Sequence, residues 1–105
     1  MPWVYMLECS DGSYYVGSTT DLAARLAQHG AGLGAAYTRR RLPVSLVWSH
    51  ESPSIAEVFF LDKRIQGWSR RKREALIRGD FDALSMLASR SRAAREARDA
   101  MNDGG

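Results

Sequence analysis

The chain has 105 residues, of which 45% are hydrophobic and 26% charged, and its formal net charge is +3. This length predicts one globular domain, and the single cysteine, Cys9, excludes an internal disulfide and a four-cysteine zinc site. The first residues lack a basic segment followed by an apolar run, and no apolar stretch approaches the roughly 20 residues that span a bilayer. We therefore expect a soluble cytoplasmic domain without a signal peptide and without a membrane partner.

The chain opens with the pattern of a β-hairpin. Residues 3–9 are rich in aromatic and branched side chains, residues 10–13 carry a turn signal, and the returning strand begins at residue 14. A two-residue turn would place Tyr5 and Tyr15 on opposite faces of the hairpin, whereas a three-residue turn places them on one face. Two tyrosines that serve one site require the second geometry, so we predict a three-residue turn with its glycine in the left-handed region.

A helix follows the hairpin, capped by Thr20 or Asp21 and ended by the glycines of residues 30–32. At 100° per residue, Arg25 and His29 share the stripe that must face the sheet. Burying an arginine there is costly unless it meets an anion or a water-filled cleft. A structural ion pair with a carboxylate is the alternative interpretation.

The remaining chain predicts one more strand and three more helices. These elements are a strand over residues 44–49, a helix from Ser54 to about Gly67 that starts with the capping box Ser54-x-x-Glu57, a basic helix from Ser69 to Arg78, and a shorter helix capped by Asp80. We predict a folded domain over residues 1–88 and a basic helical or disordered tail over residues 89–105.

Positive charge is unevenly distributed, because eleven of the fifteen lysines and arginines follow residue 60. Basic clusters neutralise phosphates and supply the sequence-independent part of nucleic-acid affinity, although a solvated helix face has the same composition. The residues that we predict to contact nucleic acid are Tyr37, Arg39, Arg40, Arg41, Arg70, Arg71 and Lys72.

Five side chains remain as candidates for chemistry: Tyr5, Tyr15, Arg25, His29 and Asp62. Hydrolysis of a phosphodiester needs an activated water, charge stabilisation on the phosphoryl oxygens and help for the leaving alkoxide. Arg25 can contact a phosphate through two hydrogen bonds, and a divalent cation on Asp62 can assist the leaving group. Tyr5 or His29 could accept the proton of the water if the metal and Arg25 lower its pKa. Taken singly, each of these residues is a weak signal, because a strand tyrosine or a lone helix histidine more often has a structural role than a chemical one.

Several segments, in this order and spacing, resemble the GIY-YIG nuclease domain in its small, single-domain bacterial UPF0213-like branch. The segments, which span about residues 2–80, are Val4-Tyr5-Met6-Leu7, Asp11-Gly12-Ser13, Tyr15-Val16-Gly17-Ser18, Asp21-Leu22-x-x-Arg25-Leu26-x-x-His29, Ala36-Tyr37-Thr38-Arg39 and Ile65-Gln66-Gly67-Trp68-Ser69-Arg70. The resemblance implies an α+β fold, in which helices flank a small three-stranded antiparallel sheet, and cleavage of DNA with one divalent cation, Mg²⁺ or Mn²⁺.

The resemblance also implies a role for each candidate residue. Tyr5 would be the general base or a water-positioning phenol with Tyr15 close by, Arg25 would hold the scissile phosphate, and His29 would assist proton transfer. Asp62 stands where the family has its metal-binding glutamate.

The chain departs from the family pattern at two positions. Trp3 replaces the glycine of the first motif, and Asp62 is one methylene, or roughly 1.5 Å, shorter than the expected glutamate. Glu57 lies about 140° around the helix from Asp62 and is a poor substitute for it.

We therefore predict a metal-dependent DNA endonuclease of low sequence specificity that acts in DNA repair or processing. A catalytically impaired nucleic-acid-binding module of the same fold is the alternative, and a protein-interaction domain is the third possibility.

Overall fold

A computed structural model describes residues 1–80 of the chain. Two compact units make up the chain, Met1–Trp68 and Ser69–Gly105, and the structure describes residues 69–80 of the second. The predicted fourth helix, the boundary at residue 88 and the tail over residues 89–105 lie outside the described residues. Among the helices of residues 1–80, none combines the length and the apolar character that crossing a bilayer requires.

A three-stranded antiparallel sheet forms the centre of the first unit. Its strands are β1 (Trp3–Glu8), β2 (Tyr14–Thr19) and β3 (Ser45–Glu51), in the spatial order β2-β1-β3. β1 is the central strand and its residues 4–7 are almost fully buried. Helices flank this sheet, so the predicted α+β class is confirmed.

The hairpin between β1 and β2 has the predicted three-residue turn. The Cys9 amide donates to the Ser13 carbonyl at 2.8 Å, and Gly12 between them has a φ of 82°. Because only glycine adopts this φ without a steric cost, the turn geometry follows directly from the sequence. In the resulting register Tyr5 lies opposite Gly17, so Tyr5 and Tyr15 share one face of the sheet.

β3 is longer than predicted. It continues to Glu51, whereas the sequence predicts its end at Ser49, because His50 and Glu51 pair with β1 through backbone groups despite their polar side chains. An irregularity in the register falls between Met6 and Leu7 of β1, where one residue of β3 bulges out of the ladder.

Helix α1 (Leu22–Gly30) follows β2 directly. The Asp21 carboxylate accepts the Ala24 amide at 3.1 Å, so Asp21 rather than Thr20 is the N-cap. A four-residue helix, α2 (Ala36–Arg39), lies in a stretch for which the sequence predicts neither a helix nor a strand. Four residues contain no helical period, so the hydrophobic pattern carries no signal for it.

Helix α3 (Ile55–Gln66) begins at the predicted cap, where Ser54 accepts the Glu57 amide at 3.1 Å. In a capping box the Glu57 carboxylate would accept directly from the Ser54 amide. Here the Ser52 hydroxyl lies between them, because it donates to the Glu57 carboxylate at 2.7 Å and accepts a hydrogen bond from the Ser54 amide. In the second unit, helix α4 (Arg70–Arg78) starts after the Ser69 cap and ends at Arg78, as predicted.

The contacts of α1 and α3 place them against opposite faces of the sheet. His29 of α1 touches Tyr5, whereas Asp62 of α3 touches Ser18, and alternate residues of a strand point to opposite faces. Val58 and Ile65 are the buried apolar residues of α3. The sheet therefore presents tyrosines to one helix and a serine to the other.

Candidate active site

A chain of hydrogen bonds links three elements beneath the sheet. The Tyr5 hydroxyl lies 2.9 Å from Nε2 of His29, and Nδ1 of His29 lies 2.8 Å from the Thr38 hydroxyl oxygen. Thr38 donates its own proton to the Ala35 carbonyl at 3.0 Å, so its oxygen must accept from Nδ1. The proton of neutral His29 is therefore on Nδ1, and Nε2 accepts from Tyr5.

Two glycines make room for this chain. A Cβ on Gly17 would lie 2.7 Å from the Tyr5 hydroxyl oxygen, and a Cβ on Gly34 would overlap the His29 ring. Tyr5 and His29 are 1% and 0% exposed, so neither ring has free space into which it could withdraw. The Tyr5–His29 hydrogen bond thus depends on two missing side chains.

The Arg25 guanidinium lies beside both phenols. Its contact with the Tyr5 hydroxyl is the main reason that the pKa of Arg25 is raised, against the opposing effect of burial, and Tyr15 acts in the same direction. Nη1 donates to the Gln28 side-chain oxygen at 3.0 Å. No carboxylate of residues 1–80 forms an ion pair with Arg25, so the structural alternative for this arginine has no support in that part of the chain.

Burial controls the protonation of Tyr5 and His29. Burial raises the pKa of Tyr5, and the neighbouring Arg25 guanidinium opposes this only in part. Burial, together with the positive charge of Arg25, lowers the pKa of His29. At neutral pH the phenol is therefore protonated and the imidazole is neutral, which is opposite to the lowered tyrosine pKa that direct proton transfer from water to a Tyr5 phenolate would need.

The tyrosine of the second motif completes the aromatic part of the site. The centroid of the Tyr15 ring lies 6.4 Å from that of Tyr5 and 5.4 Å from that of His29. Four of the predicted catalytic residues, Tyr5, Tyr15, Arg25 and His29, thus lie together on one face of the sheet.

Asp62 approaches the same stretch of β2 from the other helix. Its carboxylate accepts from the Gln66 amide at 2.7 Å and from the Ser18 hydroxyl at 3.2 Å, and Ser18 directly follows Gly17. The carboxylate is close enough to Tyr5 for its charge to contribute to the raised pKa of the phenol. Asp62 is 6% exposed and has no cationic partner among residues 1–80.

Asp62 is the residue that could hold a divalent cation. No group of three or more histidine, cysteine, aspartate or glutamate side chains within residues 1–80 is arranged to bind a metal. A buried carboxylate whose neighbours are neutral donors nevertheless fits a hard cation, because Mg²⁺ often takes one protein carboxylate and completes its shell with water and phosphate. Glu57 does not join it, since its carboxylate contacts Ser52 and His50.

Two of the predicted nucleic-acid-binding residues are engaged within the protein. The Arg41 guanidinium lies 3.7 Å above the Tyr37 ring centroid and pairs with Asp11 at 3.0 Å. Tyr15 stacks on Tyr37 with ring centroids 6.2 Å apart. Both Arg41 and Tyr15 therefore contact the Tyr37 ring, which makes Tyr37 a poor platform for a nucleobase.

The other predicted nucleic-acid-binding residues differ in their environments. Arg39 and Arg40 are exposed and form no ion pair within the described residues 1–80. Arg70, Arg71 and Lys72 lie in the first turn of α4 in the second unit, where Arg70 pairs with Glu74 at 2.8 Å.

Five contributors to the site have no role in the sequence-based prediction: Gly17, Ser18, Gly34, Thr38 and Gln66. Gln66 was detectable, because it lies four residues after Asp62 and so shares its face of the helix. The positions of Thr38 and Gly34 in the site depend on the path of the loop before β3, and no periodic sequence pattern predicts that path.

Comparison with known proteins connects this geometry to a family. Residues 1–75 match the family model described as the GIY-YIG catalytic domain. A UPF0213 protein of Halobacterium salinarum is 49% identical over 76 residues, which cover 72% of this chain and 99% of that protein. A UPF0213 protein of Streptococcus pneumoniae serotype 4 is 41% identical over 80 residues, covering 76% of this chain and 81% of the relative.

A solved structure extends the similarity to the fold. The solution NMR structure of a UPF0213 protein from Bacillus halodurans has 45% sequence identity to this chain and a TM-score of 0.50. The match covers 73% of this chain and 83% of that protein.

Proposed function

We propose, from the premise that this chain belongs to the GIY-YIG nuclease family and to its UPF0213 members, that it is a divalent-metal-dependent endonuclease that hydrolyses DNA phosphodiester bonds. Branched or damaged DNA, as it occurs in repair and processing in the cytoplasm, is the substrate class that we propose. The observation that carries the proposal is the ordered Tyr5–His29–Thr38 chain of hydrogen bonds beside an arginine that has no carboxylate partner within residues 1–80.

The Tyr5–His29–Thr38 hydrogen bonds provide a base for the attacking water without requiring a Tyr5 phenolate in the free protein. As the water oxygen bonds to phosphorus and the bond between phosphorus and the leaving oxygen breaks, a water proton passes to the Tyr5 oxygen while the Tyr5 proton passes to Nε2 of His29. The neutral imidazole becomes an imidazolium whose Nδ1–H still donates to Thr38. Tyr5 stays neutral, the leaving alkoxide takes a proton from solvent, and His29 returns its extra proton through Tyr5 after cleavage, so the proton count balances.

Arg25 stabilises the charge that develops on the phosphate. Its guanidinium can donate two parallel hydrogen bonds to phosphoryl oxygens, and its position beside Tyr5 brings the bound phosphate next to the attacking water. Asp62 would hold the divalent cation, which when bound supplies further positive charge to the phosphoryl oxygens and the leaving alkoxide.

Cleavage of a labelled oligonucleotide duplex and of a branched substrate, with Mg²⁺ or Mn²⁺, tests the proposal. Tyr5→Phe and Arg25→Ala should each lower the cleavage rate on the order of a hundredfold or more. Tyr14→Phe is the matched control, because Tyr14 lies on the opposite face of the sheet from Tyr5 and should retain activity. Unchanged cleavage by both Tyr5→Phe and Arg25→Ala would exclude this mechanism.

A second function, DNA binding without cleavage, is favoured by the state of Asp62. Both of its carboxylate oxygens already accept hydrogen bonds, and its side chain is shorter than the glutamate of the family pattern. Salt-sensitive DNA binding with no cleavage, even in the variant Asp62→Glu, would support this second function over the first.

A further inference from the structure

A cleft that the catalytic scheme does not use lies between β1 and α1. It has a volume of about 470 Å³, within the range of roughly 300–1,000 Å³ typical of ligand sites. Its lining residues are Trp3, Thr20, Asp21, Leu22, Ala23 and Leu26. The Trp3 indole and the two leucines, all half-buried, give the cleft aromatic and aliphatic walls.

The cleft adjoins the position where a phosphate would be bound. Trp3 and Tyr5 are alternate residues of β1 on the same face, so their Cα atoms are about 6.6 Å apart. On α1, Leu22 and Leu26 flank Arg25 along the helix, one turn before it and one residue after it. A nucleotide whose phosphate contacts Arg25 therefore has the cleft within the reach of its own base or of the next one.

The residues that line the cleft favour binding of a nucleobase over binding of a phosphate. The lining contains no cationic side chain, and it includes the Asp21 carboxylate, which would repel an anion. One oxygen of that carboxylate caps α1, while the other makes no hydrogen bond within residues 1–80 and can accept from a base amino group. An indole wall suits the π-face of any base, because such stacking tolerates every sequence.

We propose that this cleft binds an unstacked nucleobase next to the phosphate held by Arg25. The preferred substrate then has an unpaired nucleotide at the cut, as in a single strand, a flap or a junction. This inference rests on the proposed nuclease function and narrows its substrate class.

Binding measurements on the full chain without divalent metal test the cleft separately from cleavage. The probes are a short single-stranded oligonucleotide and the blunt duplex of the same sequence, each followed by fluorescence anisotropy. Trp3→Leu keeps an apolar wall without an aromatic face, and Trp3→Phe restores the aromatic face. Trp48→Leu is the matched control, because Trp48 lies on β3 outside the cleft lining.

Because Trp3→Leu loses one base-stacking contact, it should bind the single strand about tenfold more weakly than the parent. The affinities of Trp3→Phe and Trp48→Leu for the single strand should stay within about twofold of the parent value. Duplex binding should stay unchanged in all three variants. Equal single-strand affinity of Trp3→Leu and the parent overturns the proposal, as does an equal loss for single strand and duplex. Single-strand affinity no greater than duplex affinity in the parent also overturns it.

The indole N–H signals in an NMR spectrum give a second readout that does not depend on a stable Trp3→Leu variant. The Trp3 signal is assigned by its absence from Trp3→Phe, and it should shift on addition of the single strand while the Trp48 signal stays in place. No shift of the Trp3 signal at saturation contradicts the proposal. Because neither readout involves metal or bond cleavage, an inactive nuclease site would leave this test intact.

Discussion

His29 is fully buried between Tyr5 and Thr38, and this location couples the stability of the fold to pH. Burial and the Arg25 charge hold the pKa of His29 below its ordinary value of about 6.5. When the pH falls below 6.5, the unfolded chain takes up a proton that the folded chain does not. The contribution of His29 to the free energy of unfolding is therefore complete above pH 6.5 and decreases as the pH falls toward the folded-state pKa.

Urea unfolding between pH 7.5 and pH 5.5 should show this loss of stability. His29→Gln should remove much of the pH dependence, whereas Tyr14→Phe, which removes no group that titrates in this range, should keep it. Equal pH dependence in the parent and His29→Gln would show that another group is responsible.

Thr38 determines which nitrogen of His29 carries the proton. Thr38→Val removes the acceptor for Nδ1–H, so the tautomer with the proton on Nε2 becomes favourable and can no longer accept from Tyr5. We expect cleavage to fall on the order of a hundredfold and Thr38→Ser to restore it. The ¹⁵N shifts of the imidazole report the tautomer directly, and a protonated Nδ1 in Thr38→Val would contradict this role.

At the scale of the elements, β2 and the loop before α2 each contribute a glycine that the tyrosine–histidine pair requires. Gly17→Ala should displace the Tyr5 hydroxyl, and Gly34→Ala should displace the His29 ring. Both variants should lose cleavage and unfold at lower temperature, since overpacking a buried site costs about 1–3 kcal/mol. Gly30→Ala is the matched control, because its Cβ would meet no atom within 4 Å. Full activity in Gly17→Ala or Gly34→Ala would show that the pair tolerates displacement.

The elements differ in how far the sequence predicts them. The hairpin register follows from the turn at Gly12, and the shared stripe of Arg25 and His29 follows from the helical period. The placement of the two tyrosines, the arginine and the histidine can therefore be predicted from local rules. Helix α2, with its buried Thr38, cannot be predicted in this way, because four residues are too few to show a helical hydrophobic period. Its position depends on the path of a loop, which long-range contacts determine.

At the scale of the whole molecule, fewer of the predicted nucleic-acid-binding arginines within residues 1–80 are available to a phosphate than their number suggests. Arg41 is held by Asp11 and by the Tyr37 ring, and Arg70 is paired with Glu74, whereas Arg39 and Arg40 have no ion pair within the described part of the chain. Phosphate contacts weaken with salt because binding releases counterions.

The salt dependence of DNA binding should therefore separate neighbouring arginines. The double variant Arg39→Gln/Arg40→Gln should reduce the slope of log affinity against log salt by about two, since each phosphate contact contributes about one. Arg41→Gln should change the slope little. It serves as the control, because it also removes one positive charge at its site. Anisotropy titrations across a series of salt concentrations measure these slopes. A change of slope in Arg41→Gln as large as that in the double variant would contradict the assignment.

The two glycines beside Tyr5 and His29 also bear on how activity could be lost in related chains. A single methyl group at position 17 or 34 would displace the Tyr5 hydroxyl or the His29 ring while every tyrosine, arginine, histidine and carboxylate of the site stayed in the sequence. Such a chain would still display the full set of reactive residues and would pass for a working nuclease. Judging a relative from its polar residues alone therefore overlooks the simplest inactivating change, which is the gain of a carbon atom where this chain has none.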